Sequence, residues 1–226
     1  MVGGEDGHFV AVAIARPVRL AGDLPDAVVA AVHRPGQPRG VQILAIDRAM
    51  ATEHFVTVAS ENQKASLDLT ASLLTPAIGH IALITALPEL TISQERKAGF
   101  EQAIASHSAT RHLCEGAHFS RTEGYRLIKT LHQQLGQLPE ALITTSYILM
   151  EGVLDYLLEQ EADMSQLAMA TFGDDRLLDF LPFGINSLPQ QHDALASQAL
   201  TLALKAVNGD YQSGLHYVSR TLKRRR

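Results

Sequence analysis

Ile43-Leu44-Ala45-Ile46-Asp47-Arg48 is a short, continuous apolar run that stops on an acid and a base. Such a run reads as a buried parallel strand, because a parallel sheet is covered on both faces and the polar alternation of a half-exposed strand is lost. Its carboxyl end would carry two charged side chains to the rim of the sheet, where open α/β sheets bind their ligands. Asp47 and Arg48 are therefore the first candidate site residues. The plainer alternative is an exposed ion pair in a loop, and only the remainder of the chain can weigh one against the other.

Toward the carboxyl end the same unit recurs. Residues 61–74 have helical spacing, Gly79-His80 punctuates, and Ile81-Ala82-Leu83-Ile84-Thr85 is a second apolar run. A helix over 92–106, a strand over 111–117, a helix over 122–135, a strand at Ala141-Leu142-Ile143-Thr144-Thr145, a helix over 147–159 and a strand over 167–172 follow in order. Strand and helix in alternation predict a parallel sheet covered on both faces. A late helix over 193–207, opened by an Asp193 cap and closed at Asn208-Gly209, precedes a final strand within 211–222. Toward the amino end the pattern fades. Residues 1–40 are rich in Gly, Ala, Arg and Pro without clear period, and within them only 26–32 reads as a strand.

Composition narrows the classes. The chain has 226 residues, 46% of them hydrophobic, enough for one large domain or two small ones. A net charge of -5 argues against whole-chain attraction to nucleic acid, and the basic run Lys223-Arg224-Arg225-Arg226 reads as a solvated end. Cys114 is the only cysteine, so an internal disulfide is excluded, a reducing cytoplasm fits, and the thiol reads as buried and inert. No apolar run approaches the roughly 18 residues of a membrane span, and the first residues lack the basic start of a secretory signal, which together predict a cytoplasmic chain without membrane contact. The histidines form no ligand pattern, so no metal is expected, and no cofactor or nucleophile motif occurs.

Four stretches carry a family likeness: Ala45-Ile46-Asp47-Arg48-Ala49 with Glu53-His54-Phe55; Ala86-Leu87-Pro88-Glu89-Leu90 with Arg96-Lys97-Ala98-Gly99-Phe100; Ile143-Thr144-Thr145-Ser146 with Gly152-Val153-Leu154-Asp155; and Thr171-Phe172-Gly173-Asp174 with Leu177-Leu178-Asp179. In this order, over about residues 43 to 222, the chain resembles the effector-binding core of the lactose-repressor family of transcriptional regulators, and within it the fructose-repressor (catabolite repressor/activator) branch. The resemblance implies an α/β, periplasmic-binding-protein-like bilobed core with parallel sheets flanked by helices. The family's opening strand–helix–strand–helix run is not matched, so the first lobe is expected to be incomplete. It would comprise residues 1–60, with 1–40 atypical, completed by a helix over 191–208. The second lobe would be 61–190, completed by 209–222.

The resemblance further implies a non-enzymatic sensor that binds a sugar phosphate, fructose 1-phosphate or fructose 1,6-bisphosphate, between its lobes. Homodimerisation is expected by analogy, with DNA contacted only through a helix-turn-helix for which this chain begins too late. Arg96 would hold phosphate or vicinal hydroxyls through its guanidinium fork, against a plainer role as a helix-surface arginine beside Glu95. Asp47 and Asp174 would accept hydrogen bonds from sugar hydroxyls, and Arg48 would add positive charge. Ser146 would donate and accept, or simply cap the following helix. Phe119 would lie against the sugar ring or serve as a core aromatic, and His192 would face the ligand or sit at a helix start. Three other readings stay open: a solute-binding protein, a sugar-phosphate enzyme, and a non-functional truncated remnant with an out-of-frame start.

Overall fold

The computed structural model describes residues 13–14, 28–32, 42–46 and 56–225. Asp47 and Arg48 lie outside the described residues, as do most of the first forty. The chain divides into two compact units. One takes in the described part of Met1–Glu61 together with Gln191–Ser219, and the other is formed by Asn62–Gln190 with Arg220–Arg226.

The larger unit is a parallel sheet with helices on both faces. Its strands are β5 (His80–Ala86), β6 (Thr110–Gly116), β7 (Ala141–Thr144), β8 (Ala168–Phe172) and β9 (Ile185–Leu188), in the order β6-β5-β7-β8-β9. Every neighbouring pair is parallel. The central strand shows why its sequence is apolar throughout. Ile81 and Leu83 point to one face, against Leu69 of α1 (Asn62–Ala71) and Phe100 of α2 (Thr91–Ile104). Ala82 and Ile84 point to the other, against Ile128 of α3 (Arg121–Leu135) and Val153 of α4 (Tyr147–Glu159). Residues 81–84 are fully buried, and each large side chain so placed contributes about 1.5–3 kcal/mol.

The helices pair closely on their own face. A Cβ on Gly99 would collide with the Gln63 carbonyl oxygen and the Ser66 side chain, so α1 and α2 cross only because residue 99 has none. Helix α3 starts at Ser120, whose hydroxyl accepts from Glu123 N at 3.2 Å, while the Glu123 carboxylate reaches back to Ala117 N at 2.8 Å. Gly136, with φ of 70°, ends that helix in the left-handed conformation.

The smaller unit is a mixed sheet in the order β1-β2-β3-β4-β10, from β1 (Ala13–Ile14), β2 (Val28–Val32), β3 (Gln42–Ile46), β4 (Val56–Ser60) and β10 (Gly214–Val218). Strand β3 is the opening apolar run. It is parallel to β4 and antiparallel to β2, and Leu44 packs with Val56 and Val58 against Leu195 and Leu202 of α5 (His192–Val207).

Three expectations are corrected. The strand within 211–222 does not complete the second lobe: β10 pairs in parallel with β4, and only the segment from Arg220 joins the larger unit. Helix α5 is not capped by Asp193. Gln191 is at the cap position without a side-chain bond, and Asp193 lies in the first turn, where its charge still opposes the helix dipole favourably. The basic run at the end is not wholly solvated, because Lys223 exchanges backbone hydrogen bonds with Ser187 of β9 and the side chain of Arg225 is only 8% exposed.

Candidate functional site

The carboxyl ends of β5, β7 and β8 form the rim of the larger sheet, and Arg96 is built into it. Helix α2 is anchored there by Ser93, whose hydroxyl donates to the Ala86 carbonyl at 2.7 Å, and by Ser66 of α1, which donates to the Arg96 carbonyl at 2.6 Å. One turn on from Ser93, the Arg96 guanidinium crosses the rim. Nη1 donates to the Thr145 carbonyl at 2.6 Å, while Nε and Nη2 donate to Asn62 Oδ1 at 3.2 and 3.1 Å. Its Cζ lies 4.1 Å from the centroid of the Phe172 ring, a cation–π stack with the last residue of β8. Arg96 is only 7% exposed, and Glu95 accepts instead from Asn62 Nδ2 at 3.1 Å. The helix-surface alternative for Arg96 therefore does not hold.

Ser146 follows directly on the carbonyl that Arg96 binds. It occupies the cap position of α4 in an extended conformation, yet makes no capping bond, and its buried hydroxyl finds no partner in the structure. Below it, Thr145 donates to Thr85 at 2.9 Å and Thr144 to Thr171 at 2.8 Å, a ladder of buried hydroxyls across the strand ends. Asp174 stands beyond Gly173, whose φ of 85° turns the chain sharply out of β8 and whose missing side chain admits Tyr147. The carboxylate accepts from Ser187 Oγ at 2.7 Å and from Arg225 Nη2 at 2.6 Å, with Lys223 Nζ 3.5 Å away. Burial works against its ionisation, but those two hydrogen bonds and the charges of Arg225 and Lys223 outweigh it, and Asp174 is held below the usual carboxylate range.

The other candidates are placed differently. Phe119 is half-buried just past β6 and packs against the α3–α4 core, which is the core-aromatic alternative. His192 is the exposed first residue of α5, in the smaller unit. The structure thus brings Arg96, Ser146 and Asp174 to one rim. Asp175, read as a neighbour or cap, caps the short 3-10 helix Arg176–Phe180 by accepting from Leu177 N at 2.8 Å.

Elsewhere, His80 and His112, scattered in sequence, are stacked across β5 and β6 with their ring nitrogens 3.0 Å apart. Burial, and then the charge of His80, lower the His112 pKa. Among the described residues no group of three or more His, Cys, Asp or Glu side chains has the geometry to hold a metal ion. Burial pushes the Cys114 thiol up to about 11, which keeps it protonated and unreactive. A rim that offers a stacked guanidinium, an unpaired hydroxyl and an ionised carboxylate suits a polyhydroxylated, anionic small molecule.

No protein-family model matches the chain. Individual proteins do. Over 187 residues, 83% of the chain, it is 46% identical to the fructose operon regulatory protein of Vibrio cholerae, and over 186 residues, 81% of the chain, it is 32% identical to the catabolite repressor/activator of Escherichia coli. The alignments cover 57% and 55% of those proteins, so the chain spans little more than half the length of these curated relatives. A crystal structure of the Cra transcriptional dual regulator from Pseudomonas putida, in complex with fructose 1-phosphate, matches with a TM-score of 0.76 at 46% identity, covering 80% of this chain and 68% of that one. The chain belongs to the lactose-repressor family, in its fructose-regulator branch.

In this fructose-regulator chain the rim is held by several residues that the sequence alone did not single out. Asn62 bridges Glu95 and Arg96, and Ser187 and Arg225 bind Asp174. Asn62 opens a helix, a signal that names it only as a polar end residue. Ser187 sits in Ile185-Asn186-Ser187-Leu188, whose polar centre hides a strand that is buried throughout.

Proposed function

We propose that this chain is the effector-sensing core of a fructose-repressor-like transcriptional regulator, working in the cytoplasm on a sugar phosphate. Fructose 1-phosphate is the first candidate and fructose 1,6-bisphosphate the second. The observation that carries the reading is the 46% identity to a regulator solved with fructose 1-phosphate bound, joined to a rim that presents Arg96, Ser146 and Asp174 together. Arg96 supplies the positive charge for phosphate or vicinal hydroxyls. Ser146 offers a hydroxyl whose burial without a partner costs about 1–3 kcal/mol until a ligand group satisfies it. Asp174 accepts from a sugar hydroxyl.

No bond of the ligand is broken. Binding favours one of two states of the regulator, and differential affinity for those states controls its grip on DNA. The regulator acts as a homodimer, with DNA contacted through a helix-turn-helix outside the residues described. Titration calorimetry tests the reading: fructose 1-phosphate should give saturable binding with one site per chain, and glucose 6-phosphate none. Equal affinity for both sugars, or heat from neither, would overturn it.

A further inference from the structure

A run of basic residues at a chain end ordinarily trails in solvent, but the Arg225 side chain is 8% exposed and enclosed by acceptors. Nη2 donates to Asp174 Oδ1 at 2.6 Å and Nε to Asp179 Oδ1 at 2.8 Å. Nη1 donates to Ser187 Oγ at 2.7 Å and to the Ile185 carbonyl at 3.0 Å. The backbone is fixed as firmly: Lys223 exchanges N–H···O bonds of 2.9 and 2.8 Å with Ser187, and Arg225 N donates to Asn186 Oδ1 at 2.9 Å. Residues 223–225 therefore lie as an antiparallel addition along β9, where β8 would otherwise be the only neighbouring strand among the described residues.

The charged and titratable groups around Asp174 come from every element packed on it. Arg225 and Lys223 approach from the added segment, Tyr147 from α4, and Asp175 and Asp179 from the turn and 3-10 helix that follow. Ser187 of β9 acts as a relay, accepting from Arg225 Nη1 and donating to Asp174 Oδ1. Arg225 thus fixes the carboxylate twice, directly and through Ser187. Both short bonds fall on Oδ1, which sets the rotation of the group, and an ionised carboxylate retains further lone pairs for a ligand hydroxyl.

We propose that Arg225 is a positioning residue of the effector site, holding the Asp174 carboxylate in one orientation for a sugar hydroxyl, so that effector affinity depends on segment 223–225. The proposal rests on the reading of Asp174 as a hydroxyl acceptor for fructose 1-phosphate. Losing the clamp leaves the half-buried Asp174 without its charged hydrogen-bond donor, so the carboxylate both turns and holds a proton more readily.

Two measurements on the full chain separate the proposal from that reading. The first needs no ligand. Carbon-13 NMR of the side-chain carboxyls should show Asp174 titrating below ordinary aspartates in the wild type and at higher pH in Arg225→Met, with Arg225→Lys in between. An unchanged Asp174 titration in folded Arg225→Met would overturn the clamp. The second is fructose 1-phosphate affinity. Arg225→Met should bind roughly tenfold more weakly near neutral pH, with a loss that grows as pH falls, and the double variant with Asp174→Asn should bind no worse than Asp174→Asn alone. Additive losses would show that Arg225 acts elsewhere and overturn the positioning role. Full affinity in Asp174→Asn would instead sink the reading of Asp174, whatever the titration shows. Arg225→Lys guards against an unfolded Met variant, because it keeps the charge and should recover part of both signals.

Discussion

The Arg96 guanidinium, 7% exposed and bonded on three sides, is a structural brace as well as the ligand group we propose. Its removal leaves Asn62 Oδ1 and the Thr145 carbonyl without their donor and opens space beside Phe172. Arg96→Ala should therefore cost about 2–3 kcal/mol in unfolding free energy, read from urea curves, as well as weakening the effector. An affinity that stays at the wild-type level in the folded variant would remove Arg96 from the site. The motif around Arg96 was legible in the sequence, but its burial was not, because its partners lie 34 and 49 residues away. The same distance hid Arg225, whose carboxylate partner is 51 residues back in the chain. At this scale the sequence exposes residue types near strand ends and conceals which of them the fold locks together.

Elements were read more securely, since periodicity is a local property. The helix over 147–159 is α4 as expected, and the strands over 81–85 and 167–172 differ from β5 and β8 by a residue or two at their ends. Strands β1, β4 and β9 escaped notice, and the last two contain Thr57, Ser60, Asn186 and Ser187, polar residues that are nonetheless buried. Asn186 donates to Ser72 Oγ at 2.9 Å and Ser187 to Asp174, so long-range bonds make good what an apolar run would have signalled. Two changes test the element contacts. Gly99→Ala should force α1 and α2 apart and lower the melting temperature of the larger unit, whereas a neutral effect would mean that the helices part easily. Glu123, held at about 2 by its hydrogen bond to Arg126 and its bond from Ala117 N, favours the folded state above its unfolded range near 4.5. That contribution fades as pH falls toward 2, so Glu123→Gln should unfold more easily than wild type at pH 6 and lose the difference by pH 2.

Over the whole molecule, the alternation of strand and helix is sustained from Asn62 to Leu188, and that length of pattern made the α/β class readable. The return of helix α5 to the smaller unit followed from the family resemblance, but that of strand β10 did not, because its partner β4 lies far back in the chain and such pairing leaves no local signal. Size-exclusion chromatography with light scattering should give the mass of a homodimer, and a monomer at micromolar concentration would remove dimerisation from the proposal. Sensing of a sugar phosphate is decided by thermal unfolding with and without fructose 1-phosphate, using glucose 6-phosphate as control. A ligand at one hundred times its dissociation constant stabilises the folded state by about 2.7 kcal/mol. The transition should stay cooperative and move up selectively with fructose 1-phosphate. A cooperative transition that stays in place with fructose 1-phosphate, or rises equally with both sugars, would contradict the proposed sensing.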